Sequence, residues 1–166
     1  AGLHFTKKQL STIEQMGIEI AYITLDIGLG TFAPIRIDNF EKHVMHKERV
    51  LIDEATVNTI NRVLDSGSKI VAVGTTVLRC LESVYSMFNK LTPFEGEIDL
   101  FIYPGYKFGV VDSLLTNFHL PKSSLFLLVC AFGGTQNLKS AYDHAIKYNY
   151  KFFSYGDAML INKFDE

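Results

Sequence analysis

Residues 114–124 read LLTNFHLPKSS, and how this stretch is read decides the fold. Leu114 and Leu115 end one apolar segment, and Leu125 to Phe132 form the next; Thr116, Asn117 and His119 sit at the seam between them. The lead-in, GYKFGVVDSLLTNF, reads as extended, paired chain. Pro121 and Ser123 then open a helix over SLFLLVCAF, because proline suits a first turn and serine caps it. A buried strand, a polar turn and an apolar helix in that order form the repeating unit of a layered α/β domain.

The same grammar extends in both directions. Upstream, KIVAV reads as a buried strand that turns at Gly74-Thr75-Thr76 into the helix VLRCLESVYSMF. Asp53 caps EATVNTINRVLDS, whose apolar positions Val57, Ile60, Val63 and Leu64 share a helical face, and Gly67 stops it. Thr6 and Gln9 form a capping box ahead of KKQLSTIEQMG, which ends at Gly17. IEIAYITLDI, KERVLI and EIDLFIYP carry strand character. Downstream, Gly133-Gly134 breaks the chain before the amphipathic NLKSAYDHAIKYN, and YKFFSYGDAMLI closes as a strand. Helices alternate with buried strands, so the expected fold is a single α/β domain over residues 1–166, with a largely parallel sheet flanked by helices.

In open α/β sheets, ligands bind beyond the carboxyl ends of the strands. Polar clusters fall at such places: Gly28 to Thr31, Gly74 to Thr76, Tyr103 to Tyr106, Thr116 to His119, and Ser154 to Asp157. A parallel sheet would bring all of them to one edge and one cleft.

Composition narrows the partners. Of 166 residues, 48% are hydrophobic, enough for a substantial core. A net charge of −2 supplies no global basic field, so any nucleic-acid contact must be local. The longest apolar run, Leu125 to Phe132, is too short to span a bilayer, and no charged leader opens the chain; no membrane partner is expected. Cys80 and Cys130 lie in apolar helical patterns and read as reduced core residues of a cytoplasmic protein. AGLHFT begins without Met in already patterned sequence, as though the chain were the later part of something longer.

Each motif has a bland reading beside the chemical one. LDIGLGTF suggests the glycine-rich turn of nucleotide-binding sheets or of Rossmann methyltransferases, which would bring the backbone at Gly28 and Gly30 close to a ligand. Yet FAPIRIDNF follows as extended chain where that motif needs a helix, and a plain structural turn is the alternative. In VGTTVLR, a helix N-terminus with Thr75 and Thr76 suits a carboxylate or phosphate, and Arg79 could clamp the same anion. Alternatively the threonines only cap the helix, and Arg79 pairs with Glu82 or Glu48. HVMHKE offers His43 and His46, without helical context or a third ligand, so no metal is expected and proton transfer or anion binding fits better. Tyr103 and Tyr106 flank a Pro-Gly turn and could stack a base, or be core. Thr116 and Asn117 could read a base edge and His119 move a proton, or all three could be structural. Asp157 offers a second proton-transfer group, or an Asx turn.

As a set, AGLHFT, TLDIGLGTF, HVMHKE, VGTTVLRCLES, DLFIYPGYKF, VDSLLTNFHLPKSSL and KFFSYGDAMLI resemble the S-adenosylmethionine:tRNA ribosyltransferase-isomerase family of queuosine biosynthesis, in order from Ala1 to about Ile161. Members of that family carry an N-terminal segment and a small β-barrel domain that have no counterpart here, and Ser124 and Phe126 replace a more usual Thr and a Leu or Met. The resemblance implies a transferase and isomerase acting in tRNA modification. Its ribosyl donor is S-adenosylmethionine, and its acceptor is 7-aminomethyl-7-deazaguanine at the tRNA wobble position. The product is epoxyqueuosine-tRNA, with adenine and methionine leaving. A monomer working in the cytoplasm is the matching expectation. Residue chemistry then assigns His119, Asp157 and His46 to proton transfer, and Thr75, Thr76 and Arg79 to an anionic group. Asn117 and Thr116 would read a base edge, with Tyr103, Tyr106 or Phe32 stacking. A non-catalytic nucleotide- or RNA-binding module and a Rossmann-type methyltransferase are the alternatives.

Overall fold

β5, Ser113–Asn117, is the strand on which the architecture turns, and it includes the start of LLTNFHLPKSS. In this computed structural model, residues 4–26, 28, 45–154 and 156–164 are described. Among them, the elements run α1 (Lys7–Gln15), β1 (Thr24–Asp26), β2 (Glu48–Ile52), α2 (Glu54–Asp65), β3 (Val71–Val73), α3 (Thr75–Phe88), β4 (Phe94–Ile98), β5, α4 (Ser124–Gly133), α5 (Thr135–Lys147) and β6 (Ala158–Asn162).

The helix starts follow local chemistry. Thr6 and Gln9 make the reciprocal capping box of α1. The Asp53 carboxylate accepts the Thr56 N–H at 2.8 Å to cap α2, and the Ser123 hydroxyl accepts from Phe126 N to cap α4. α3 differs. Its N-cap is Gly74 at φ +97°, a left-handed conformation that favours glycine, with no side chain capping the first turn.

The described strands form two three-stranded sheets, in the orders β1-β2-β4 and β3-β5-β6. The first is antiparallel throughout; in the second, β3 and β5 are parallel and β6 runs antiparallel to β5. The expected largely parallel sheet is therefore corrected to a mixed arrangement with one parallel pair. The connections differ: between β3 and β5 the chain runs through α3 and then β4 of the other sheet before entering parallel to β3, whereas the α4–α5 pair lies between β5 and β6 and carries the chain back to the opposite end. Two strand boundaries also differ from expectation. β4 covers Phe94–Ile98, upstream of most of EIDLFIYP, and among the described residues of IEIAYITLDI only Thr24–Asp26 pair.

α3 packs against β3, β5, β4 and α4, and supplies Leu78, Cys80, Leu81 and Val84 to a core shared with Val111, Leu114, Val129 and Phe132. Cys80 and Cys130 are buried free thiols. β2 alternates buried and exposed residues, and Glu48 falls on its buried face. There it forms an ion pair with Arg79 of α3, both side chains almost wholly removed from solvent. Glu82, one turn along α3, accepts the backbone N–H groups of Gly109, Val110 and Val111 at 2.9 to 3.1 Å. Those bonds fix the approach to β5.

Candidate ligand cleft at the strand ends

Because β3 and β5 run parallel, with Val73 opposite Leu115, their carboxyl ends lie side by side. Gly74 N donates to Leu115 O at 2.8 Å and locks that end shut. β6 enters from the opposite direction, with Ala158 opposite Asn117, so its amino end and the preceding loop reach the same place. A cleft of about 200 Å³ opens there, lined by His4, Gly74 to Thr76, Thr116 to Leu120, Ser123, Leu125, Phe153 and Ser154. Pockets for whole drug-sized ligands span roughly 300–1,000 Å³, so this volume suits one portion of a nucleoside-sized molecule.

The cleft combines an open helix end with a short polar row. The first turn of α3 presents unpaired backbone N–H groups beside the Thr76 hydroxyl, a setting that favours negative charge. Thr116 is buried, and its Oγ1 lies 3.1 Å from His119 Nε2. His119 N donates to the Tyr142 hydroxyl at 2.8 Å, which anchors the backbone under the imidazole. Burial pushes the His119 imidazole down to about 4, so at neutral pH it is an uncharged ring that accepts or donates one hydrogen bond. Burial likewise lowers His4 from its ordinary value. Behind the seam, Phe118 meets Tyr142, Phe152 and Tyr150 ring to ring at 5.2, 5.2 and 5.9 Å. An aromatic pack therefore supports the polar row, and this is why LLTNFHLP alternates as it does.

The sequence-derived candidates divide. Thr75, Thr76, Thr116, Asn117 and His119 line the cleft together. Arg79 does not: it is spent on Glu48, one of the two partners weighed for it. Asp157 lies at the rim, exposed, where its carboxylate accepts the Lys151 N–H at 2.7 Å and ties off the loop. The Asn117 amide nitrogen donates to the carbonyls of Gly156 and Asp157 at 3.3 and 3.2 Å, holding that loop against β5. Tyr103 and Tyr106 are not among the cleft residues; Tyr103 packs on Phe101, and Tyr106 packs on Phe108 with its hydroxyl directed to Glu82 O. The single edge gathering every polar cluster is thus corrected. Asp26, which leads to Gly28, belongs to the other sheet, and the Tyr103–Tyr106 turn lies outside any strand. Gly28 and His46 are exposed and away from the cleft. Gly30, Phe32 and His43 lie outside the described residues. His4 was missed; AGLHFT carried the signal, but a histidine just before a helix cap has no local feature that marks it as a cleft residue. Among the described residues, no three His, Cys, Asp or Glu side chains cluster as a metal site.

The fold is a mixed α/β arrangement, with a candidate ligand cleft at the ends of a parallel strand pair. The family model described as "Queuosine biosynthesis protein" matches residues 1–161, and the chain belongs to that family. It is 49% identical over 167 aligned residues, 98% of this chain, to a Psychrobacter sp. (strain PRwf-1) protein named S-adenosylmethionine:tRNA ribosyltransferase-isomerase, covering 43% of that relative. A Geotalea uraniireducens (strain Rf4) protein of the same name is 52% identical over 161 residues, covering 97% of this chain and 47% of the relative. A crystal structure of S-adenosylmethionine tRNA ribosyltransferase from Thermotoga maritima superposes with a TM-score of 0.81 at 39% identity, over 96% of this chain and 50% of that one. The chain therefore spans under half the length of the curated relatives it matches.

Proposed function

We propose that this chain provides the S-adenosylmethionine-binding portion of an S-adenosylmethionine:tRNA ribosyltransferase-isomerase. The reaction would join the ribosyl unit to 7-aminomethyl-7-deazaguanine at the tRNA wobble position, forming epoxyqueuosine and releasing adenine and methionine. One observation carries this reading: Thr76, Thr116, Asn117 and His119 converge on one cleft beside an open helix N-terminus, in a chain whose relatives bear that name. The sulfonium of the donor acidifies the adjacent ribose 5′ carbon, so a neutral base set nearby can take a proton. The amine of the acceptor must also be neutral to attack. Two uncharged imidazoles, His119 and His4, suit such a site better than a resident cation would.

In this proposal the α3 N-terminus and Thr76 hold the methionine carboxylate. Thr116 fixes the His119 ring, and Asn117 with Asp157 holds the loop that closes one side. Proton transfer falls to His119 or His4, and Asp157 serves as a positioning residue. The natural setting is the cytoplasm, where tRNA is modified. A Rossmann methyltransferase fits poorly, since the strand ending at Asp26 pairs antiparallel with β2, whereas the glycine-turn motif belongs to a parallel βα unit.

The test is adenine release from S-adenosylmethionine in the presence of tRNA carrying the 7-aminomethyl base. His119→Ala is expected to lower the rate by about two orders of magnitude or more, with the thermal transition retained. Near-normal release would remove His119 from the chemistry, and methyl transfer to RNA in place of adenine release would overturn the reaction class.

A further inference from the structure

A strip of aromatic rings leaves the cleft and continues onto the surface at the end of α5. Phe118 lines the cleft and meets Tyr150 at 5.9 Å between ring centroids. Tyr150 meets His144 at 6.0 Å, and His144 lies 4.4 Å from Tyr148 in a tilted stack. Phe153, which also lines the cleft, is joined to this strip where its N–H donates to Phe118 O at 3.1 Å. Unlike the core aromatics, these rings face solvent: Tyr148 is 57% exposed, Tyr150 42% and Phe153 56%. Rings of this size are rarely left in water side by side without a partner.

Charge narrows the partner. Residues 139–153 read KSAYDHAIKYNYKFF, with lysines at 139, 147 and 151 against the single acid Asp143, in a chain whose overall charge is −2. Lys147 Nζ sits 5.5 Å from the Tyr148 ring centroid, so cation and ring form one unit. The nearby Asp157 carboxylate is committed to the Lys151 N–H. Cationic groups interleaved with exposed rings are what single-stranded nucleic acid requires, since bases stack on the rings and phosphates lie along the lysines. Ring-to-ring steps of 4.4 to 6.0 Å let neighbouring bases share the strip.

We propose that Tyr148, Tyr150, His144, Lys147 and Lys151 form a stacking platform that binds the unpaired RNA nucleotides next to the one that receives the ribosyl group. The inference rests on the functional reading above only in naming tRNA as the source of that RNA. The platform gives local RNA affinity without a basic fold-wide field, and it directs the strand toward Phe118, Phe153 and the polar row.

The experiment uses this chain with a fluorescently labelled anticodon stem-loop RNA and a fully paired hairpin of equal length. The wild type is expected to prefer the loop RNA. Tyr148→Ala/Tyr150→Ala should weaken loop binding by tenfold or more, given that a base–aromatic stack is worth roughly 1–3 kcal/mol. Lys147→Gln/Lys151→Gln should flatten the salt dependence of binding. The lysine variant should keep S-adenosylmethionine binding, and both variants should keep the circular-dichroism melt. Conversely, Thr76→Val should weaken S-adenosylmethionine binding and leave RNA affinity unchanged, so failure of the cleft reading and failure of the platform separate. Loop RNA affinity within twofold of wild type in the folded tyrosine double variant would overturn the platform. So would no RNA binding by the wild type, or tyrosine-dependent binding to anionic vesicles with RNA affinity unaffected.

Discussion

His119 Nε2 lies 3.1 Å from Thr116 Oγ1, with the half-buried imidazole just beyond the end of β5 and its own backbone N–H held by the Tyr142 hydroxyl. This pairing makes the cleft sensitive to acid. The folded His119 takes up a proton only near pH 4, whereas an unfolded histidine does so near 6.5. Its contribution to stability is therefore full above about pH 6.5 and is lost as pH falls from there toward 4, on the order of 3 kcal/mol in all. Urea midpoints measured at pH 7.5, 6 and 5 should decline, and His119→Gln should flatten that decline. An equal decline in the variant would show that other groups dominate.

The Glu48–Arg79 pair joins the two sheets through α3, because Glu48 lies inside β2 while α3 packs on β3 and β5. Removing Glu48 takes the carboxylate from a buried guanidinium, and removing Arg79 takes the cation from a buried carboxylate. Arg79→Leu or Glu48→Ala should each cost about 3–5 kcal/mol in chemical unfolding. The double replacement Glu48→Leu/Arg79→Met should recover much of that loss. A double variant as unstable as the singles would mean the pair supplies something beyond charge balance.

Glu82 binds the N–H groups of residues 109, 110 and 111. Burial raises its carboxyl, while these three donors draw it back down. Glu82→Ala should leave those donors unsatisfied and cost on the order of 3 kcal/mol, with hydrogen exchange accelerating at Gly109 to Val111. Unchanged exchange there would show that the segment is held by packing instead.

At Gly156 a Cβ would collide with the Lys151 carbonyl and the backbone of Phe152. The rigid obstacle is main chain, so Gly156→Ala should open the loop that Asn117 and Asp157 close. The thermal midpoint should fall by several degrees, consistent with roughly 1–3 kcal/mol, and S-adenosylmethionine binding should weaken. A variant with native affinity would place that loop outside the binding site.

Sequence alone determined where α1, α2 and α4 begin, because each cap is a bond between residues three apart: Thr6 with Gln9, Asp53 with Thr56, Ser123 with Phe126. It also marked the apolar strands and the polar seam at Thr116 to His119, since burial imprints a pattern on neighbouring residues. The words that carry the family likeness were equally readable from the chain. Tertiary structure decided what no local pattern encodes. Strand direction depended on the whole connection, through α3 and β4 from β3 to β5 and through α4 and α5 from β5 to β6, and among the described strands one pair is parallel. Arg79 could serve an anion or a carboxylate, and only the placement of β2 beneath α3 brought Glu48 to it. Tyr103 and Tyr106 went to other packing, while His4 arrived in the cleft from far along the chain. Such choices are contacts between distant segments, and their energies exist only once the core has brought those segments together.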